Sequence, residues 1–337
     1  MLKSLLGAVS LLSVLLPTIA VGTVPALAPA DRARLAEAFA LADTAAELWP
    51  GWGEVPFAVL LLAGDHEYLV RHPAPGPSFT SLGYDDLLSS DVLHRPAADR
   101  YPPNILATFP AIGGVNTVVM GTSEQTGKSS TFWVLTALHE HFHQWQSTRP
   151  GYYGAVDALD LAAGDDTGMW QIQYPFAYDD PKVETALRRY AHVLKQAAKG
   201  IAPGAETVDQ IVAARRSLRR ALSAADDRYL DFQLWQEGIA RYTEWLVARH
   251  AERHHEPLPA FAALADYTPY ADAASALEAQ LDDELREFEL STWRRVAFYP
   301  VGALEGLMLD ALRPGWRGHY DAARFSLGRL LEVPRPE

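Results

Sequence analysis

Residues Thr136–Gln146 read TALHEHFHQWQ, with three histidines and one glutamate between positions 139 and 143. On a helix, residues four apart stand one above the other, so His139 and His143 can aim a ring nitrogen at one point. Glu140 lies beside them, within reach of a water at that point. This is the H-E-x-x-H arrangement of zinc hydrolases, in which the carboxylate serves as general base. His141 points 100° to 200° around the helix, and is expected to be structural or to support the ligands. The helix itself is framed by Ser129 and Ser130 as caps and by Pro150-Gly151 as a stop. Leu135, Leu138 and Phe142 give it an apolar face. The competing reading is an exposed, histidine-rich helix face.

Two imidazoles need a third protein ligand. The chain has no cysteine, which excludes thiolate ligands, thiol nucleophiles and disulfides and leaves His, Asp and Glu. Candidates lie in DFQLWQEGIARYTEWLVARH, Asp231–His250, where Glu237 and Glu244 share one helix face. Acidic pairs at Asp165-Asp166 and Asp179-Asp180 offer oxygens of the kind calcium takes, but their spacing fits no EF-hand.

HEHFHQW (His139–Trp145) together with LWQEGIARYTEW (Leu234–Trp245) resembles the aminopeptidase N family of gluzincin metallopeptidases. Those enzymes carry H-E-x-x-H-Q-W and, on a later helix, W-x-N-E-G-F-A-x-Y-x-E. The resemblance implies His139, His143 and Glu237 as Zn2+ ligands, Glu140 as general base, and Glu244 as a partner orienting a ligating histidine. A third patch, FYPVGALEGLMLDAL (Phe298–Leu312), resembles the family's Tyr-x-x-Gly segment and implies Tyr299 as donor to the developing oxyanion. Glu237 follows His143 by 94 positions (237 − 143), several times farther than in that family, so 148–227 reads as an insertion. The asparagine before the family's glutamate is Gln236 here. The Gly-x-Met-Glu-Asn segment that grips a free amino terminus has no counterpart. GGVNTVVMG (Gly113–Gly121) stands in its place, and Gly113, Gly114 and Val115 are expected to receive an extended peptide along the cleft edge.

The rest of the chain is read around this centre. Asp31–Trp49 has helical periodicity. PFAVLLLA (Pro56–Ala63) and HEYLV (His66–Val70) read as a hairpin across Gly64-Asp65. NILATF (Asn104–Phe109) and VNTVVMG (Val115–Gly121) read as two further strands, divided by Pro110 and Gly113-Gly114. Helices are expected at about 129–147, 182–200, 206–224, 228–253 and 301–313. The prediction is an α+β chain with a small mixed-sheet lobe over about 30–127, a mainly helical lobe over about 128–337, and a thermolysin-like catalytic core, forming one domain from residue 30 to 337.

The N-terminus stands apart. One early lysine, an apolar run from Leu5 to Leu16, Pro17 and then small residues form the pattern of a signal peptide, set at 1–26. The expected product is exported, periplasmic or secreted, and free of the membrane once the signal is removed. With a composition 49% hydrophobic and 21% charged, the chain can bury a core. Its net charge of −13 without a basic block argues against nucleic acid as a partner. The expected partner is a peptide or protein substrate. The alternative is an exported zinc-binding scaffold with the same fold and no hydrolysis.

Overall fold

The computed structural model describes residues 26–98, 100–199 and 205–332. Residues 1–25, 99, 200–204 and 333–337 lie outside the described residues, and with them all of the expected signal segment except its last position. No described helix is long and apolar enough to cross a membrane.

Helix α1, Pro29–Ala45, starts on a proline, whose fixed φ suits the first helical turn. Six strands follow: β1 Val59–Ala63, β2 His66–Val70, β3 Thr80–Asp85, β4 Ser90–Pro96, β5 Leu106–Ile112 and β6 Val115–Gly121. They form one mixed sheet in the order β3-β4-β2-β1-β6-β5, in which β1 and β6 run parallel and every other pair antiparallel. The fold is thus α+β, a small mixed sheet followed by helices.

Strand alternation divides the sheet's apolar residues between two sides. Val59, Leu61, Tyr68, Val70, Val118 and Met120 join the main core, while Leu60, Leu62, Leu69 and Val119 join a smaller cluster on the other face. The hairpin across Gly64-Asp65 forms as expected, with Ala63 opposite His66. Pro110 does not end its strand. It lies within β5 at a register irregularity between Phe109 and Ile112, a position that an edge strand tolerates because no ladder donor is needed there.

Behind the sheet lies α2, Ser130–Ser147, in which every residue from Ser130 to Gln146 except Phe132 is buried. A helix enclosed on all sides is a core helix, and this one packs against α1, β5 and β6. Gln144 Nε2 donates to Ala58 O and Asn116 O at 3.0 and 2.8 Å, pinning α2 to the sheet beside the β1–β6 junction. The remaining long helices are α3 Pro181–Lys199, α4 Ala205–Ala221, α5 Ala224–Gln233, α6 Ile239–His254, α7 Tyr270–Glu287 and α8 Phe298–Leu312. Helices α5 and α6 are joined without a break by a π turn, Leu234–Gly238.

That turn packs backbone to backbone on α8. A Cβ added to Gly302 would stand 2.5 Å from Gly238 Cα and 2.7 Å from Leu234 O, and one added to Gly306 would enter the Tyr242 ring. Only glycine permits this approach, which brings the start of α8 against the end of the π turn.

Candidate metal centre

Three side chains from two helices meet behind the sheet. His139 Nε2 lies 3.9 Å and His143 Nε2 3.4 Å from the same oxygen, Glu237 Oε2. One ligand atom from each residue falls within 4.8 Å of the others, and among the described residues no other group of three or more His, Asp or Glu side chains has this metal-holding geometry. Glu237 comes from the π turn. The wider turn inserts one residue into the helical phase, and such turns recur at functional positions.

Both imidazoles are oriented from behind. The Gln146 amide nitrogen faces Tyr320 Oη at 2.8 Å and the carbonyls of Gln236 and Trp235 at 3.1 and 3.2 Å. That fixes the amide so that Oε1 meets His143 Nδ1 at 2.7 Å. A neutral His143 with its proton on Nδ1 would satisfy this contact and leave Nε2 for an ion beside Glu237. Gln236 Nε2, whose amide is fixed by Tyr152 Oη on Oε1 at 2.9 Å, also approaches Nδ1, at 3.2 Å. Glu244 Oε2 stands 3.6 Å from His139 Nδ1, an electrostatic contact on the longer side of a hydrogen bond, and takes a 2.9 Å bond from Arg241 Nη1. Glu244 thus occupies the position of a carboxylate behind a ligating imidazole, an arrangement that fixes the ring and raises its basicity.

The surroundings favour positive charge at this point. Burial by itself would depress the His139 pKa, yet the Glu237 and Glu244 carboxylates outweigh it and lift the imidazole to about 9. Burial would likewise raise Glu237, but the two imidazoles and Arg295 hold its carboxyl well below the ordinary range. Two imidazole nitrogens and one ionised carboxylate oxygen are a donor set that suits Zn2+ with one position open, once the ion displaces the proton that His139 otherwise holds, and the residues present fit that ion.

Glu140 is not among the converging three. Thr108 Oγ1 on β5 lies 2.9 Å from Glu140 Oε2 and 2.8 Å from its backbone oxygen, within donating distance of both. Tyr299, at the start of α8, stacks beside His139 with ring centroids 6.5 Å apart and planes 21° from parallel. Burial and the nearby Glu237 carboxylate push the Tyr299 phenol well above its usual pKa, so it is a neutral hydroxyl at physiological pH. Its oxygen accepts a short hydrogen bond from Arg295 Nη1, which also lies 3.6 Å from Glu237 Oε1.

His141 faces away from this group. Its ring stacks on Phe57 at 4.1 Å and on Trp52 at 5.4 Å, and Nδ1 meets Gln144 Oε1 at 2.8 Å. Burial brings its pKa down to about 4, so it is a neutral core ring. Gly113 and Gly114 both take positive φ at the β5–β6 turn, where Ile112 pairs with Val115. The turn uses the freedom the glycines give. The expectation that an extended peptide adds along the strand from Val115 to Met120 is corrected: β6 is paired on both sides, with β1 and β5, and the free edge belongs to β5. Asp165 spends its oxygens on the Thr167 hydroxyl and the amides of Thr167 and Trp170, which accounts for that acid locally.

Four contributors escaped the sequence reading: Thr108, Gln146, Arg241 and Arg295. Gln146 and Arg241 stand three residues from His143 and Glu244, a helical step that marks neighbours. Thr108 and Arg295 leave no such trace. No family model matches the sequence, and no curated protein or solved structure is significantly similar to it.

Proposed function

We propose that this chain is a zinc-dependent hydrolase of peptide bonds with a gluzincin-type, thermolysin-like core, acting after export. The single observation that carries the reading is the convergence of His139 Nε2 and His143 Nε2 on Glu237 Oε2, with the far side of each imidazole held by Glu244 or Gln146. When bound there, zinc supplies Lewis acidity and lowers the pKa of a water to about 7. The chain's own residues perform the proton work. Glu140, adjacent to a ligand and steadied by Thr108, takes a proton from the attacking water and delivers it to the leaving amine. Tyr299, neutral and placed next to Glu237, donates to the oxygen on which charge develops. The free-amine segment of the aminopeptidase N family has no counterpart in the sequence, so strict aminopeptidase specificity is not part of this reading.

The test combines elemental analysis with digestion of a peptide mixture. One zinc per chain is expected, with cleavage abolished by a chelator. Glu140→Gln should keep the zinc and lose on the order of 100- to 10,000-fold in turnover. Wild-type turnover in that variant refutes the mechanism. A second reading, a zinc-holding scaffold, draws on the enclosure of the donor set: His139, Glu140 and His143 are 7%, 6% and 8% exposed. Stoichiometric zinc without cleavage of any peptide identifies that case.

A further inference from the structure

The cation closest to the centre, apart from the imidazoles, is Arg295, and its guanidinium is only partly used. Nη1 donates to Tyr299 Oη and lies 3.6 Å from Glu237 Oε1. Among the described residues neither Nε nor Nη2 has a hydrogen-bond partner, and neither is sealed from solvent: the side chain keeps 23% of its exposure. These two atoms form the side-on edge of the guanidinium, the edge that matches both oxygens of a carboxylate. Arg294, immediately before, has φ 50° and ψ −131°, a conformation that glycine takes readily and arginine does not. Arg294 lies over the Tyr178 ring at 4.4 Å and has no carboxylate partner among the described residues, so it adds a second positive charge to the same rim.

We infer that Arg295 selects substrates carrying a free carboxylate beside the scissile bond. This rests on the peptide-hydrolase reading and gives that site a substrate class. With Nη1 committed to Tyr299, the Nε–Nη2 edge lies on the opposite side of the guanidinium, so a carboxylate held there is set off from the reacting carbonyl by the breadth of that group, the reach of one residue rather than of several. The same contact turns the Tyr299 proton away from Arg295 and toward the Glu237 side of the centre, since the phenol oxygen already accepts from the guanidinium. The carboxylate has two sources, the C-terminal α-carboxylate of a peptide or an Asp or Glu side chain flanking the cleaved bond. The first makes the protein a carboxypeptidase, the second an acid-directed endopeptidase.

The test reads binding with turnover blocked. Zinc-loaded Glu140→Gln protein is titrated calorimetrically with four probes: N-acetyl-Ala-Ala as free acid and as amide, N-acetyl-Ala-Glu-amide and N-acetyl-Ala-Gln-amide. The expected result is that one carboxylate probe binds on the order of 10- to 100-fold tighter than its neutral twin. Which pair shows the difference names the source. Adding Arg295→Ala should erase the difference at unchanged zinc content. Arg295→Lys, which keeps the charge but loses the fork, should retain part of it and controls for folding by its melting curve. Equal binding within both pairs overturns the inference, as does a preference that survives Arg295→Ala or a failure of all four probes to bind. Failure of the hydrolase reading shows separately, as missing zinc or as wild-type protein that cleaves nothing.

Discussion

Replacing Gly302 with alanine tests whether backbone contact between the π turn and α8 builds the centre. The new Cβ would stand 2.5 Å from Gly238 Cα, 2.7 Å from Leu234 O and 3.1 Å from Leu234 Cα. All three are backbone atoms and cannot rotate away. Carbon atoms pack at about 3.5 to 4.0 Å, so the two segments must part by roughly 1 Å. Glu237 precedes Gly238 and Tyr299 lies one turn before Gly302, so the separation opens between a ligand and the proposed oxyanion donor. A displacement of about 1 Å in such a constellation costs on the order of 100-fold in rate. Overpacking costs about 1 to 3 kcal/mol, offset by up to about 1 kcal/mol from the better helix propensity of alanine. Gly302→Ala is therefore expected to melt a few degrees lower and to lose far more turnover than the melting shift suggests, measured by circular dichroism and by peptide cleavage at saturating zinc. Gly154→Ala is the control, because its Cβ meets nothing within 4 Å. A Gly302→Ala protein with the melting point and activity of wild type would refute the role assigned to the glycine contact.

Glu244→Gln should weaken zinc binding about 10- to 100-fold, because the carboxylate behind His139 is lost while the ring remains; competition with a chelator measures it, and an unchanged affinity means that Glu244 merely pairs with Arg241. Stability should also respond to Glu305, which burial raises to about 7 from 4.5 despite the Tyr190 hydroxyl bonded to it. Between those values the folded chain holds a proton that the unfolded chain releases, so this group's contribution falls as pH rises and is lost above about 7, on the order of 3 kcal/mol in all. Urea unfolding at about pH 5 and pH 8 should show wild type losing more stability than Glu305→Gln over that interval, and an equal change in both removes the assignment.

The parts of this molecule that could be read from sequence are those whose signal is local. The α2 helix declares itself by its apolar spacing and its Pro150-Gly151 stop, and the pairing of His139 with His143 follows from helical geometry alone. Buried strands such as VLLLA are legible because both faces are apolar. By contrast β3, TSLGYD, leaves most of its residues exposed, so no alternation marks it, and β4 is found only by pairing with β2. Helix α7 buries Tyr270, Ala273, Ala274, Leu277 and Leu281 along one face, yet its many exposed acidic and alanine positions leave it out of the helices expected from sequence. The π turn is invisible for another reason: one inserted residue leaves the apolar pattern of 228–253 intact while rotating Glu237 relative to Glu244.

That rotation explains why the two glutamates, seven apart and on one face of an ideal helix, do different work. Glu237 Oε2 faces the Nε2 atoms of both histidines, whereas Glu244 Oε2 faces the opposite nitrogen of His139. A ring held between them presents one nitrogen to each carboxylate, so one glutamate can share an ion with His139 while the other can only steady the ring. The division of labour is thus set by the imidazole. It requires the helix that carries both acids to pass along His139 from its Nε2 side to its Nδ1 side. Arg241, bonded to Glu244 and to Glu284 of α7, holds the far end of that passage. The π turn, packed on Gly302, sets the near end, and the spacing of the two acids along the helix is matched to the width of one histidine ring and its two contacts.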